Sequence, residues 1–446
     1  MKKIVTFLFL IFLAFSSKFK AQEGFRFVNE SKHHERVKFQ LINNLIVIPL
    51  EINGKKLSFI LDSGVSKTIL FNITETDSIG LKNVEKVQLQ GLGGGNSVDA
   101  LLSKNNTLSI KKIAGFNETI YVLVKNLFDL SSKMGTTIHG IIGYNLLSNF
   151  IVKINYNSKV IDFYNPKTFK YRKCRKCEIF PLEFYRNKPY IDAQIQMDTI
   201  GNQLTDVKLL IDSGGSDAIW LFEDTDQVIK TPKRFFNDIL GEGLSGAIYG
   251  NRSRIPKLKL KSFDIKSPTV SFLDSISTRN ARSFEERNGS IGAGVLKRFM
   301  VWFDYPNKQI MLKKTNSFKK TFNYNMSGLD VVYNGKQLIK EEETKTYSDA
   351  YSQNVETNNS VSFITSFSYK FKPSFIIKNV VKGSPAYKAG LLKDDIILNI
   401  NYKPAHEFTL GKILEKFQAD PNKKIRLVID RKGTEMKFDF RLEKKI

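Results

Sequence analysis

The sequence predicts a mainly β protein: two copies of one β-barrel-like lobe, followed by a smaller α+β module. Three observations carry that prediction. The stretch Phe59-Ile60-Leu61-Asp62-Ser63-Gly64 returns 150 residues later as Leu209-Leu210-Ile211-Asp212-Ser213-Gly214. Two further blocks repeat in step, Gly91-Leu92-Gly93 with Gly241-Glu242-Gly243 and Gly140-Ile141-Ile142-Gly143 with Gly289-Ser290-Ile291-Gly292. Three paired blocks in one register mark an internal duplication. After Lys314 the pattern changes, and Gly383-Ser384-Pro385-Ala386, Ala389-Gly390-Leu391 and Asp395-Ile396-Ile397-Leu398 form a different kind of block.

In chain order, residues 1–21 read as a secretory signal. Met1-Lys2-Lys3 is a charged start, and Ile4 to Phe15 is an apolar run too short to span a bilayer comfortably. Cleavage is expected near Ala21-Gln22, with an uncleaved anchor as the alternative. No later stretch is apolar and long enough for a transmembrane helix, so the mature chain is expected to be exported, periplasmic or secreted, with no integral span. The 446 residues leave room for two or three domains, and 41% apolar content with 35 Phe is ample for their cores.

The first lobe is expected over residues 22–170. Asn44 to Ile52, a turn at Asn53-Gly54, and Leu57 to Leu61 form a hairpin, because Asn-Gly between apolar runs favours a type I′ turn. The second lobe, residues 171–318, repeats the plan with a longer turn: Tyr190 to Met197, then Val207 to Ile211. Short strands and turns argue for barrel-like lobes rather than βαβ units. One short helix is expected after Gly143 and one after Gly292. Residues 319–446 are the last domain, in which about 336–372 reads as a flexible insertion, polar, charged and poor in apolar residues between Glu341 and Ser360.

In both lobes the apolar run delivers an Asp, a hydroxyl residue and a Gly. A carboxylate at the end of a buried strand must be hydrogen-bonded or paired. Two such carboxylates facing each other share a proton, one serving as base and the other as acid. A single Asp-Ser-Gly is commonly a turn or cap; two, with two glycine-rich segments and two apolar-apolar-Gly blocks, are not. The chain here resembles the retropepsin-like aspartic proteases, over roughly residues 40 to 315. The resemblance implies catalytic Asp62 and Asp212, loops locked by the Ser63 and Ser213 hydroxyls, and Gly64 and Gly214 admitting backbone N–H groups to the carboxylates. It also implies flaps at Gly91-Leu92-Gly93 and Gly241-Glu242-Gly243. Both halves lie in one chain, so a monomer with an internal pseudo-twofold is expected. Water activation by the dyad needs no cofactor, metal or covalent intermediate.

Three residues past each Asp stand Val65 and Gly215, where pepsin-like enzymes carry a hydroxyl donor. Losing a donor to the charged form raises a carboxylate pKa, which predicts work at mildly acidic to neutral pH. Ser66 and Ser216 are candidates for contacts to substrate backbone or for capping the local turn. Cys174 and Cys177 are the whole cysteine inventory, and in an oxidising compartment a local disulfide is expected. The net charge of +25 is spread along the chain without a basic helix, so nucleic acid is not expected as a partner.

Ser374 to Asn401 closely resembles a bacterial PDZ domain, with Asp394 in place of the usual Gly. The resemblance implies a peptide-binding strand at Gly328-Leu329-Asp330-Val331 that takes a peptide or a protein C-terminus. Asp330 stands where a small residue is usual and would repel a terminal carboxylate. Together these features predict an exported aspartic endopeptidase acting on polypeptide. The alternative is a catalytically silent peptide-binding or envelope scaffold.

Overall fold

Asn53 and Gly54 both have positive φ, 49° and 89°, as a type I′ turn requires. They join Leu45–Ile52 to Lys55–Leu61, the hairpin that leads to Asp62. Lys188–Gln196 and Thr205–Asp212 are its counterpart in the second lobe. The structure is a computed structural model that describes residues 24–73, 78–90, 97–124, 129–243, 246–348 and 361–446. The expected signal and the first flap, Gly91-Leu92-Gly93, lie outside the described residues.

The apolar-apolar-Gly blocks return to the aspartate strands from behind. Gly140–Ile142 runs parallel to Lys55–Leu61, with Ile142 opposite Leu61, and antiparallel to Thr68–Leu70. Arg287–Gly292 does the same, parallel to Thr205–Asp212 and antiparallel to Ile219–Phe222. Short helices follow at Tyr144–Leu147 and Ala293–Leu296.

The lobes are less separate than the sequence reading implies. Ile151–Asn155 pairs antiparallel with Phe299–Asp304, placing Lys153 opposite Trp302. These two residues occupy equivalent positions in the duplicated blocks, so the pseudo-twofold axis passes between them. His34–Lys38 and Val160–Tyr164 extend this sheet on one side, and Gln309–Lys314 and Cys177–Pro181 on the other. One apolar cluster runs from Phe25 to Phe322 through both lobes. Phe163 and Phe303 are fully buried within it, each contributing about 1.5–3 kcal/mol relative to exposure. Cys174 and Cys177 are joined by a disulfide at the edge of this shared sheet, with Cα atoms 5.5 Å apart.

The C-terminal module has its own core, from Tyr324 to Ile446. Its sheet carries Leu329–Ser348 at one edge, paired with Val361–Val380. The segment expected as a flexible insertion is therefore built, over its described residues, as a two-stranded ribbon, Lys336 facing Pro373 and Ser348 facing Val361. A ribbon with two solvated faces buries little, so its first strand can be as polar as an insertion, while its second leaves Phe367, Tyr369 and Phe371 exposed. Lys370 and Lys372 both pair with Glu341, at 2.8 and 2.9 Å. Asp394 has φ 70°, the left-handed conformation that favours Gly at this place. Beside it, Asp395 is buried and takes two hydrogen bonds from Arg431, both 2.7 Å.

Candidate active site

Asp62 follows the strand Lys55–Leu61, and Asp212 ends Thr205–Asp212. The two loops are cross-linked by the residues that come next. The Ser213 hydroxyl accepts from the Ser63 N–H at 2.9 Å, and the Ser63 hydroxyl accepts from the Ser213 N–H at 2.9 Å. Each hydroxyl then donates across the axis, Ser63 to the Ile211 carbonyl at 2.7 Å and Ser213 to the Leu61 carbonyl at 2.9 Å. Both serines are buried, so these four bonds lie away from competing water.

The glycines are required by close approach. Gly64 N–H donates to Asp62 Oδ1 at 2.7 Å, and Gly214 N–H to Asp212 Oδ1 at 3.0 Å. A Cβ on Gly214 would lie 2.2 Å from the Asp62 carboxyl carbon. Behind the loops, a Cβ on Gly143 would meet the Asp62 carbonyl at 2.0 Å, and one on Gly292 the Asp217 carbonyl at 2.3 Å. Three past the aspartates, Val65 and Gly215 bring no side-chain donor to the carboxyls, and their N–H groups go to the Asp62 and Asp212 carbonyls at 3.3 and 3.4 Å. The Val65 carbonyl takes the Tyr144 N–H at 3.0 Å, and the Gly215 carbonyl the Ala293 N–H at 2.7 Å.

The two carboxyls lie together, since a Cβ on Gly64 would sit 3.2 Å from an oxygen of each. Burial, then the negative neighbour Asp212, pushes Asp62 up to about 8, against the pull of the Gly64 N–H and of Lys188. Lys188 itself is lowered from the usual lysine range by burial and by Arg287, while Asp62 and Asp212 draw it back. Past the second loop, burial would raise Asp217, but Arg252 at 2.9 Å, with the Trp220 N–H and the Ser271 hydroxyl at 2.8 Å each, holds it below the ordinary carboxylate range. Arg252 also donates to Asp238 at 2.8 Å. It thereby ties the hairpin of Phe236–Gly243 and Gly246–Arg254 to the Asp212 loop.

Two carboxyls set side by side on a cross-linked pair of Asp-Ser-Gly loops are equipment for activating water. Comparison with known families agrees with that geometry: residues 48–146 match the family model described as "Aspartyl protease", and residues 376–431 the one described as "PDZ domain". The chain carries an aspartyl protease-like domain and a PDZ domain. The crystal structure of an aspartic proteinase from Irpex lacteus is similar at 14% sequence identity and a TM-score of 0.45, over 65% of this chain and 100% of that one. A search of curated proteins found no match.

The aspartyl protease family match falls within the first lobe, and the second repeats its loop geometry about the axis. Of the second flap, Gly241 and Gly243 line the active-site cavity, and Glu242 pairs through its backbone with Ala247. Ser66 and Ser216 line it too. The Ser216 carbonyl accepts from Asn44 at 2.8 Å, and Asn44 accepts from Lys297 at 2.7 Å. The PDZ strand opens on the same cavity through Gly328, Leu329, Asp330 and Val331. Its loop amides are already engaged: Ser327 N–H donates to Asn325 Oδ1 and Leu329 N–H to Ser327 Oγ, both 3.0 Å. With Asp330 exposed beside them, this loop is poorly prepared for a terminal carboxylate.

Sequence reasoning passed over Lys188, Asp217, Arg252 and Asn44. Asp217 had a signal, since it directly follows Ser213-Gly214-Gly215-Ser216. The other three act through strand pairings and loop contacts that join residues far apart in sequence.

Proposed function

We propose that this chain is an exported aspartic endopeptidase that cuts extended polypeptide, with the PDZ domain engaging the same chain nearby. The observation that carries the reading is the reciprocal Ser63–Ser213 lock, which sets two carboxyls against each other. In the resting dyad Asp62 holds the shared proton. Water lying between the carboxyls gives a proton to Asp212 as its oxygen attacks the peptide carbonyl, and Asp62 protonates the carbonyl oxygen. Collapse of the tetrahedral intermediate breaks the C–N bond: the proton on Asp212 passes to the leaving nitrogen, and one hydroxyl of the intermediate returns its proton to Asp62 as the carbonyl re-forms, which restores the resting dyad. Support for a polymeric substrate comes from a cavity of about 2440 Å³, well beyond the roughly 300–1,000 Å³ of small-ligand sites. Export is supported by the short apolar run behind Met1-Lys2-Lys3 and by the disulfide.

The test is degradation of a denatured protein across about pH 4 to 8 by the wild type, Asp62→Asn and Asp212→Asn. Cleavage abolished by either substitution in a folded protein is the expected result. A wild type as inert as both variants on many substrates would leave a peptide-binding module instead.

A further inference from the structure

The duplication allows the two halves of the cleft to be compared position by position. In the first lobe Val47 faces Ile60, two residues before Asp62. In the second, Tyr190 faces Leu210, two residues before Asp212. One step along the same face lie Leu45 in the first lobe and Lys188 in the second. Leu45, Val47 and Ile60 belong to an apolar cluster that also holds Met134 and Ile138.

The second-lobe side is built differently. Lys188, Tyr190, Leu210 and Arg287 line the cavity, with Arg279 and Tyr185 at its rim. Arg287 is only 2% exposed, its hydrogen bonds go to the Gly289 carbonyl and the Ser290 hydroxyl, and its guanidinium lies 5.9 Å from the Tyr190 ring centre. Its guanidinium lies 4.9 Å from the Phe222 ring centre. The charged neighbours of Lys188 are Arg287, Asp62, Asp212 and Arg186. Asp217 and Asp238, which line the same cavity, are both engaged by Arg252. Among the described residues, two cations, Lys188 and Arg287, therefore face the dyad here with only the dyad to balance them, and buried charge without a partner is costly. The rim is held in place, since the Tyr185 hydroxyl donates to the Ser283 carbonyl at 2.9 Å and its ring stacks on Phe284 at 4.8 Å.

Resting on the proteolytic reading, we infer that this pocket selects an acidic side chain, Asp or Glu, on one side of the scissile bond, while the Leu45 side takes an apolar one. The carboxylate completes the charge balance of Lys188 and Arg287, and Tyr190 and Leu210 cover its methylene stem. Lys188 is the specificity-determining residue, because Arg287 is already committed to its own strand.

The experiment uses the full mature chain and end-capped fluorogenic peptides pairing Leu with Glu, Gln or Lys in both orders. Glu should be cut with kcat/KM roughly tenfold or more above Gln in one order only, the scale of a hydrogen bond to a charged group. Lys188→Gln should bring that ratio close to one, and Lys188→Glu should turn the preference toward Lys. Reading the ratio within each variant removes any general loss of activity. Peptides with a free or an amidated C-terminus separate an internal side chain from a terminal carboxylate. A gain confined to free termini overturns the side-chain assignment. Binding of reduced-amide Glu and Gln peptides to the wild type, followed by anisotropy, separates the two ideas. Discrimination in binding without any cleavage sinks the protease and keeps the pocket. Cleavage with Glu and Gln treated alike sinks the pocket and keeps the protease. Neither binding nor cleavage overturns both.

Discussion

At Gly214 an added methyl would need to share space with the Asp62 carboxyl, at 2.2 Å, whereas at Gly64 the nearest atoms are 3.2 Å away. Gly214→Ala is therefore expected to displace the dyad and lower kcat by roughly a hundredfold, the scale of a misplacement of about 1 Å. Gly64→Ala should cost much less, and assaying both against one peptide checks the difference. The proton on Asp62 couples stability to pH. Its ordinary value is 3.8 and its folded value about 8, so between those limits the folded chain holds a proton that the unfolded chain has lost. The stability from this group is fullest below about pH 4 and is lost as pH rises toward about 8. Activity should fall along the alkaline limb as that proton leaves. Thermal melts across this range should show Asp62→Asn gaining on the wild type as pH rises, and parallel curves would contradict the assignment.

Among the elements, the second flap hairpin depends on one side chain. Arg252 is 12% exposed and joins Asp217, at 16%, to Asp238. Removing it leaves a mostly buried carboxylate without its cation and held only by Trp220 and Ser271, so Arg252→Met is expected to destabilise the protein by about 3 kcal/mol, measured by denaturant unfolding. If Arg252→Met unfolds like the wild type, the pairing is ornamental. What the sequence disclosed at this scale follows a clear physical line. Asp62, Asp212 and the glycine blocks were legible because close backbone approach allows few residue types and the duplication displays each one twice. Arg252, Lys188 and the Glu341 ribbon were not, because their roles arise from which strands pair. Polar composition alone cannot tell a solvated ribbon from an insertion.

In the whole molecule, the expected pair of lobes proves to share a sheet and a core across the Lys153–Trp302 axis. The PDZ domain is docked on both lobes. Lys378 pairs with Asp129 at 2.7 Å, Arg234 donates to the Lys445 carbonyl at 2.8 Å, and Phe236 meets Tyr324 with ring centres 5.5 Å apart. Because both aspartates belong to one chain, specific activity should stay constant on dilution. Initial rates over a hundredfold range of enzyme concentration check this, and a quadratic fall would show that two chains are needed.

The Leu45–Lys188 difference has one more implication. A catalytic site assembled from two identical chains must offer a lysine on both sides of the dyad or on neither. Such a site has no means of telling which way a peptide runs through it. Joining the halves covalently removes that constraint, so each can mutate alone. Once one wall is greasy and the other cationic, the cleft acquires a front and a back, and a polypeptide threading it is read in a single direction.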